Sequence, residues 1–357
     1  MKVSIGSRII DGPWGGGNLF VVNLKNFLHN NGHSVVHDLC DKDIDIILLT
    51  DPRSKKESSS TFNHIDINKY KKYVNPNVVV IQRINECDER KDTNNINQYY
   101  LDASECADHI IFVSNWLKDI YTNIGMAESK TSVIMSGADD EIFNPSNLSK
   151  FDKNKIKFVT HHWSDHSNKG FDIYKKFDEM LSLQEYENLE FTYIGNIPQD
   201  ISFKKIKVKT PLSGHALAEE IKKNNIYITA SKNEPSGNHH IEAAQCGLPI
   251  LYFDSGGIPE YCDGYGVKFD IDFSQKLNEI INDYDNYKEK LKGYPFSADV
   301  MCNEFFNTFI EVSNSKDILE IKVSKILRDL FLLKNKTQTL LTSINVKQYL
   351  KYLLKRV

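Results

Sequence analysis

With 357 residues, 40% hydrophobic and 26% charged, the chain has the composition of a soluble globular protein and is long enough for two domains. Its net charge of −4 gives no reason to expect nucleic acid as a partner. Six scattered cysteines (Cys40, Cys87, Cys106, Cys246, Cys262, Cys302) form no C-x-x-C pair, so they read as reduced thiols of a cytoplasmic protein. That reading excludes a disulfide scaffold.

In chain order, Val3–Ile5 reads as a strand entering a glycine loop, Asp11-Gly12-Pro13-Trp14-Gly15-Gly16-Gly17-Asn18. An amphipathic helix follows over Asn18–Asn30, with Leu19, Val22, Leu24 and Leu28 on or near one face. Ser34–Val36, Ile44–Leu49, Val78–Ile81 and Ile110–Val113 are short β-branched strands whose near-continuous apolar character predicts a sheet covered on both faces. Ser114 is placed to cap a helix over Trp116–Tyr121, and Val133–Met135 closes the set. The polar segment Ser136–Lys155 interrupts the rhythm. It resumes with strands at Ile156–Thr160, Leu189–Ile194, Ile206–Lys209, Ile226–Thr229 and Ile250–Phe253, and helices over Phe171–Leu183 and Ala216–Lys223. After Phe273 the pattern is helical. The expected organisation is two α/β domains, residues 1–150 and 151–315, and a basic amphipathic helical tail, residues 316–357. That tail has ten Lys/Arg against three Asp/Glu, a net of +7, which leaves −11 on residues 1–315. The first residues, Met1-Lys2-Val3-Ser4-Ile5-Gly6, read as entering a strand directly, without the hydrophobic region expected of a signal peptide, and no apolar run approaches the roughly 20 residues of a membrane span.

The most informative stretch runs from Ala230 to Pro249. Between two strands stands a polar turn with Glu234, then Pro235-Ser236-Gly237 as a helix entry, then Glu242 within the helix. Free N–H groups at such an entry attract anions, and carboxylates beside an anion site suit a ligand that also carries hydroxyls. Lys169-Gly170, at a βα junction, places a point charge where a diphosphate could meet it. Gly15, Gly16 and Gly17 exceed what a tight turn needs. A dinucleotide fingerprint fails there, because Phe20 occupies its third glycine position although Asp38 stands at a ribose-binding spacing. His161, His162, His166 and the pair His239-His240 lack the companions of a metal set. The D-x-D patterns Asp43-Ile44-Asp45 and Asp270-Ile271-Asp272 read as strand edges.

These residues carry a resemblance. Glu234-x7-Glu242 lies within Ser231-x-x-Glu234-x-x-Gly237 and is followed by Glu242-Ala243-Ala244-x-x-Gly247-x-Pro249-Ile250 and Gly256-Gly257-Ile258-Pro259-Glu260. The glycine loop, Val113-Ser114-Asn115-Trp116-Leu117-Lys118 and Ser136-Gly137-Ala138-Asp139 support it in order. Over residues 1–310 the chain resembles the retaining GT-B-fold glycosyltransferases, glycosyltransferase family 4-like (group 1). The resemblance implies two Rossmann-like domains facing a cleft. It implies a nucleotide-sugar donor, UDP- or GDP-linked, as substrate, with no cofactor and no metal. By the same resemblance Glu242 takes the ribose hydroxyls and Glu234 the donor sugar, aided by N–H groups near Ser236, Gly237 and Asn238. Lys169 neutralises the leaving diphosphate, and Gly15–Gly17 approach it from the first domain. By that resemblance the expected catalytic pair is Glu234 and Lys169.

Two departures stand out. Where the family has an arginine shortly before that lysine, this chain has Thr160-His161-His162-Trp163, leaving His162, Arg83 or Arg90 as substitutes. Where many members carry a histidine after the fourth strand, it has Gln82-Arg83-Ile84-Asn85-Glu86-Cys87-Asp88, so Asn85, Glu86 and Asp88 become the acceptor-side candidates. The expected acceptor is a glycan or a lipid-linked molecule, and the tail offers peripheral contact with the inner face of a membrane. The missing arginine motivates one alternative, a catalytically impaired sugar-nucleotide-binding protein. An NAD-dependent enzyme and a GT-B-fold sugar-nucleotide epimerase are the remaining ones.

Overall fold

The computed structural model describes residues 1–10, 12, 15–53, 58–270 and 273–343. The first sheet comprises β1 (Lys2–Ile5), β2 (Ser34–Val36), β3 (Ile46–Leu49), β4 (Val79–Ile84), β5 (His109–Phe112) and β6 (Thr131–Val133), in the order β2-β1-β3-β4-β5-β6. Its helices are α1 (Gly16–Asn30), α2 (His64–Tyr73), α3 (Asp88–Lys91), α4 (Ile96–Ser104) and α5 (Asn115–Asn123). The second sheet comprises β7 (Ile156–His162), β8 (Leu189–Gly195), β9 (Lys207–Lys209), β10 (Ile226–Thr229), β11 (Ile250–Phe253) and β12 (Gly266–Phe269), in the order β12-β11-β10-β7-β8-β9. With it come α6 (Phe171–Met180), α7 (Gly214–Lys222), α8 (Asn238–Gln245), α9 (Ile258–Cys262), α10 (Ser274–Asn282) and α11 (Tyr284–Leu291), followed by α12 (Ala298–Ser315) and α13 (Lys325–Ser343).

All pairings between these strands are parallel. Strand β3 shows why its sequence reads as unbroken apolar residues. Ile47 and Leu49 enter one core cluster and Ile46 and Leu48 the other, because side chains alternate across a strand and helices cover both faces. This is the GT-B architecture of two Rossmann-like α/β domains. In the second sheet the strand order reverses between β7 and β10, where a doubly wound sheet opens its ligand crevice at the strands' carboxyl ends.

Several expectations need correction. Strand β7 continues through His161 and His162, which pair with Ile194 and Gly195 of β8, so these histidines belong to the sheet and not to the polar turn. Strand β12, unread in the sequence, buries Val267 and Phe269 on the second core. Helix α12, assigned above to residues 151–315, packs on the first sheet. Its Met301, Cys302, Phe305 and Phe309 share a core with Val3, Ile5, Phe20 and Leu24, and the Phe20 and Phe305 rings are 5.0 Å apart. Residues 316–324 are not helical, so Leu319 and Val323 precede α13. Helix α13 lies on the first domain through Phe331 and Leu332, and Asn335 donates to the Leu39 carbonyl at 3.1 Å. Leu350, Leu353 and Leu354 lie outside the described residues, as do Asp11, Pro13 and Trp14 of the glycine loop and Ile271-Asp272 of the second D-x-D. Asp43 and Asp45 accept from Lys2 at the start of β1, away from the crevice. Among the described residues no helix is long and apolar enough to cross a membrane.

Candidate active site

Between the two sheets lies a cleft of about 400 Å³. Its second-domain wall is built by the turn from β10 to α8. Asn233 adopts a left-handed conformation there (φ 51°), and Gly257 donates its N–H to the Glu234 carbonyl at 2.9 Å. A Cβ on Gly256 would stand 2.5 Å from that same oxygen, so only glycine lets the 256–257 turn close over Glu234. Gly237 (φ 81°) precedes α8 without a side-chain cap, leaving the first N–H groups of the helix without intrahelical acceptors and the positive end of its dipole at the cleft.

Glu234 is buried, and two cations from different domains hold it. Lys169 Nζ donates to Oε2 at 2.5 Å and Arg90 Nε to Oε1 at 2.9 Å. Arg90 Nη1 also donates to both carboxylate oxygens of Glu86 at 2.9 Å. Burial opposes the Glu234 charge, yet Arg90 and Lys169 outweigh it and hold the carboxyl well below the usual range. Burial is also the largest influence on Lys169 and lowers its ammonium against the pull of Glu234. Gly170 makes the lysine's position possible. At φ 80° its missing Cβ would fall 2.1 Å from the Ala230 carbonyl, so the 167–169 turn can press against the end of β10.

Glu242, one helical turn beyond Asn238, accepts from His161 Nε2 at 2.8 Å, and both are buried. His162 turns inward instead. Its Nε2 lies 2.8 Å from the Tyr174 hydroxyl, Nδ1 has no partner, and burial first, then Lys169, depresses its pKa far below the ordinary imidazole value. It is neutral and does not supply the charge of the absent arginine. Arg90 does bring a cation to this place, from the first domain. The α3 segment carrying it is docked by Asn168 Nδ2, which donates to the Arg90 carbonyl at 3.0 Å, and by Asn233 Nδ2, which donates to the Glu89 carbonyl at 3.1 Å.

Gly15, Gly16 and Gly17 line the opposite wall at the start of α1. A Cβ on Gly16 would lie 2.5 Å from Asn238 Oδ1, so the loop touches the α8 terminus. Ser236 Oγ is 3.3 Å from Ser136 Oγ, and Asn85 lines the cleft near Gly17. Glu86 reaches the site only through Arg90. Asp88 does not reach it, because its carboxylate accepts from Thr93 Oγ1 and from the N–H groups of Ile96 and Asn97, fixing the 93–97 turn. Among the described residues no three His, Cys, Asp or Glu side chains converge as metal ligands.

Residues 169–294, which carry Lys169, Glu234 and Glu242, match the family described as Glycosyl transferases group 1. The chain carries a group 1 glycosyltransferase domain. It is similar to the phosphatidylinositol N-acetylglucosaminyltransferase gpi3 subunit of Schizosaccharomyces pombe, 25% identical over 141 residues, 36% of this chain and 31% of that protein. The GPI3 subunit of Saccharomyces cerevisiae is 28% identical over 199 residues, 49% of this chain and 43% of that protein. The chain thus spans less than half the length of these relatives. Among solved structures, a glycosyltransferase from Rickettsia africae superposes with a TM-score of 0.64 at 15% identity, covering 88% of this chain and 99% of that one. Anabaena Alr3699/HepE in complex with UDP-glucose gives 0.64 at 14% identity, covering 87% and 100%. At such identities the likeness is one of fold.

Within the group 1 domain the structure brings Glu234, Lys169, Glu242, Ser236, Gly237 and Asn238 to one wall and sets Gly15–Gly17 and Asn85 across from them. The His161–Glu242 pair was not read from the sequence. Its only signal there was that His161 directly follows the expected strand Ile156–Thr160.

Proposed function

We propose that this chain transfers a sugar from a nucleoside-diphosphate sugar to a glycan or lipid-linked acceptor, with retention of anomeric configuration and without a metal. The observation that carries this is the Arg90–Glu234–Lys169 array at the uncapped start of α8, with Glu242 one turn further on. Two cations and free N–H groups suit a diphosphate that gains charge as it departs. A bound diphosphate would compete with Glu234 for Lys169 and Arg90, turning the Glu234 carboxylate toward the hydroxyls of the donor sugar. Glu242, oriented by His161, would accept from the ribose. Arg90 stands in for the arginine expected near Thr160–Trp163. The acceptor hydroxyl forms the new bond to the anomeric carbon as the bond to the diphosphate oxygen breaks, and its proton leaves with the diphosphate.

Release of nucleoside diphosphate, measured over a panel of UDP-, GDP- and ADP-sugars, tests the reading. UDP-N-acetylglucosamine with phosphatidylinositol is the first pair, suggested by the relatives' names. Turnover should survive a chelator and vanish in Glu242→Ala and Lys169→Ala, and proton NMR should show an unchanged anomeric configuration in the product. Donor binding with no turnover on any acceptor would instead make the chain a sugar-nucleotide binder, a reading favoured by the neutrality of His162. The outer face of α13 extends the proposal: Ile326, Leu330 and Leu333 are exposed along it, flanked by Lys325, Lys334 and Lys336, and would rest on an anionic membrane beside a lipid-linked acceptor.

A further inference from the structure

Arg83, the penultimate residue of β4, carries a charge that no described residue answers. Its residue is 4% exposed and lines the cleft on the first-domain side. Its guanidinium lies 4.0 Å from the centre of the Phe20 ring, and Nε has no hydrogen-bond partner. Neither a hydrogen bond nor an ion pair joins it to any described residue. Glu86, three residues on, is taken by Arg90. The ring of Phe20 offsets part of the cost of burying the cation, but a guanidinium presents five donors, and among the described residues no acceptor meets its buried Nε. Burial lowers its pKa to about 10, which leaves it protonated at neutral pH. A buried and unpaired charge is retained at the expense of stability, so an apolar residue would have been the simpler occupant of this wall.

A second feature faces the same space. Phe20 lies one turn into α1, a helix of 15 residues whose N-cap is Gly15, without a side-chain acceptor for the first N–H groups. The positive end of α1 and the Arg83 guanidinium therefore share one wall of the cleft, opposite the Lys169–Glu234 wall. We propose that Arg83 and the start of α1 form an oxyanion subsite that takes a phosphate or carboxylate group of a substrate. Two sources carry that chemistry: the diphosphate of the donor and an anionic group on the acceptor. The inference deepens the transferase reading and rests on it for the identity of the substrates, but the oxyanion site itself does not.

The full chain and its Arg83→Met and Arg83→Lys variants are titrated by calorimetry and melted. Arg83→Met removes an unpaired buried charge and keeps the bulk, so it should melt at the wild-type temperature or above it while losing oxyanion binding at least tenfold. Arg83→Lys should retain part of the affinity. If the anion belongs to the donor, UDP, GDP and inorganic pyrophosphate all weaken in Arg83→Met. If it belongs to the acceptor, those are unchanged, and inorganic phosphate or glucuronate binds the UDP-saturated wild type but not the saturated variant. Wild-type affinity of Arg83→Met for every probe overturns the proposal. So does loss of binding accompanied by a lower melting temperature, which would make Arg83 a structural residue. Should no nucleotide bind the wild type while phosphate binds the free protein through Arg83, the transferase reading falls and the oxyanion subsite stands.

Discussion

Arg90 couples two carboxylates that would otherwise face each other across the cleft. Truncating one member of a buried pair leaves its partner charged and unpaired, typically at about 3–5 kcal/mol. Arg90 keeps 26% of its side chain exposed, so Arg90→Ala is expected to cost nearer 2 kcal/mol in denaturant melts. It is also expected to weaken nucleoside-diphosphate binding, which a purely structural role would leave intact. Arg90→Lys should not rescue it, because Arg90 reaches Glu234 through Nε and Glu86 through Nη1, and a single ammonium nitrogen does not reproduce that planar fork. A second expectation concerns the buried histidines. Burial lowers His162 and His239 well below the ordinary value and His240 to about 3. The unfolded chain takes up protons below about pH 6.5 while the folded one does not. Stability is therefore full above that pH and falls as the solution is acidified, by about 1.4 kcal/mol per pH unit per histidine. Denaturant melts between about pH 6.5 and 5 check this, and His240→Gln should flatten the slope by one histidine's share. At this scale the motif residues were legible because Glu234, Lys169 and Glu242 sit on one domain in a fixed local pattern. The role of Arg90 was not, since it depends on how α3 seats against loops 144 residues away in the chain.

Helices and strands were legible wherever periodicity reported burial. Strands β2, β10 and β11 have the bounds their β-branched runs imply, and Ser114 caps α5 by accepting from the Leu117 N–H. The end of β7 was obscured because His161 and His162 are polar yet buried. Their stability in the sheet comes from Glu242, Tyr227 and Tyr174, partners that a linear reading cannot supply. Helix α2 was missed because its exposed face is charged, although Asn63 and Asp66 form a reciprocal capping box at its start. The basic tail read as continuous helix, but only its part from Lys325 is helical among the described residues, and its two faces do different work. Phe331 and Leu332 hold α13 to the first domain, while Ile326, Leu330 and Leu333 recur at i, i+4 and i+7 on the outside. Replacing those three with serine leaves the inner face intact. The full-length variant is expected to fold and to lose sedimentation with anionic liposomes, and equal sedimentation of variant and wild type would remove the membrane contact.

The two halves meet where the chain crosses between them twice, side by side. Ala138 donates its N–H to the Phe296 carbonyl at 3.1 Å, and Ala298 donates back to the Ala138 carbonyl at 2.7 Å. Glu260 of the second domain caps α5 of the first, accepting from the N–H groups of Asn115 and Trp116 at 2.8 Å each. Gly137 is the tightest point of this crossing. A Cβ there would stand 2.0 Å from the Ser297 carbonyl oxygen and 2.7 Å from the Ala298 nitrogen, backbone atoms that cannot swing aside. Gly137→Ala must therefore push the two crossovers apart and with them the walls that carry Arg90 and Glu234. The expected result is a lower melting temperature together with a tenfold or greater loss of nucleotide affinity. Gly32→Ala separates this from the generic cost of losing a glycine. Gly32 also has a left-handed backbone (φ 77°) but open space around it, so its substitution should cost about 1 kcal/mol of stability and leave nucleotide binding unchanged. If both variants bind nucleotide as the wild type does, the crossing does not set the geometry of the cleft, and the ion pairs through Arg90, with the Glu260, Asn168 and Asn233 bonds beside them, hold its walls in register.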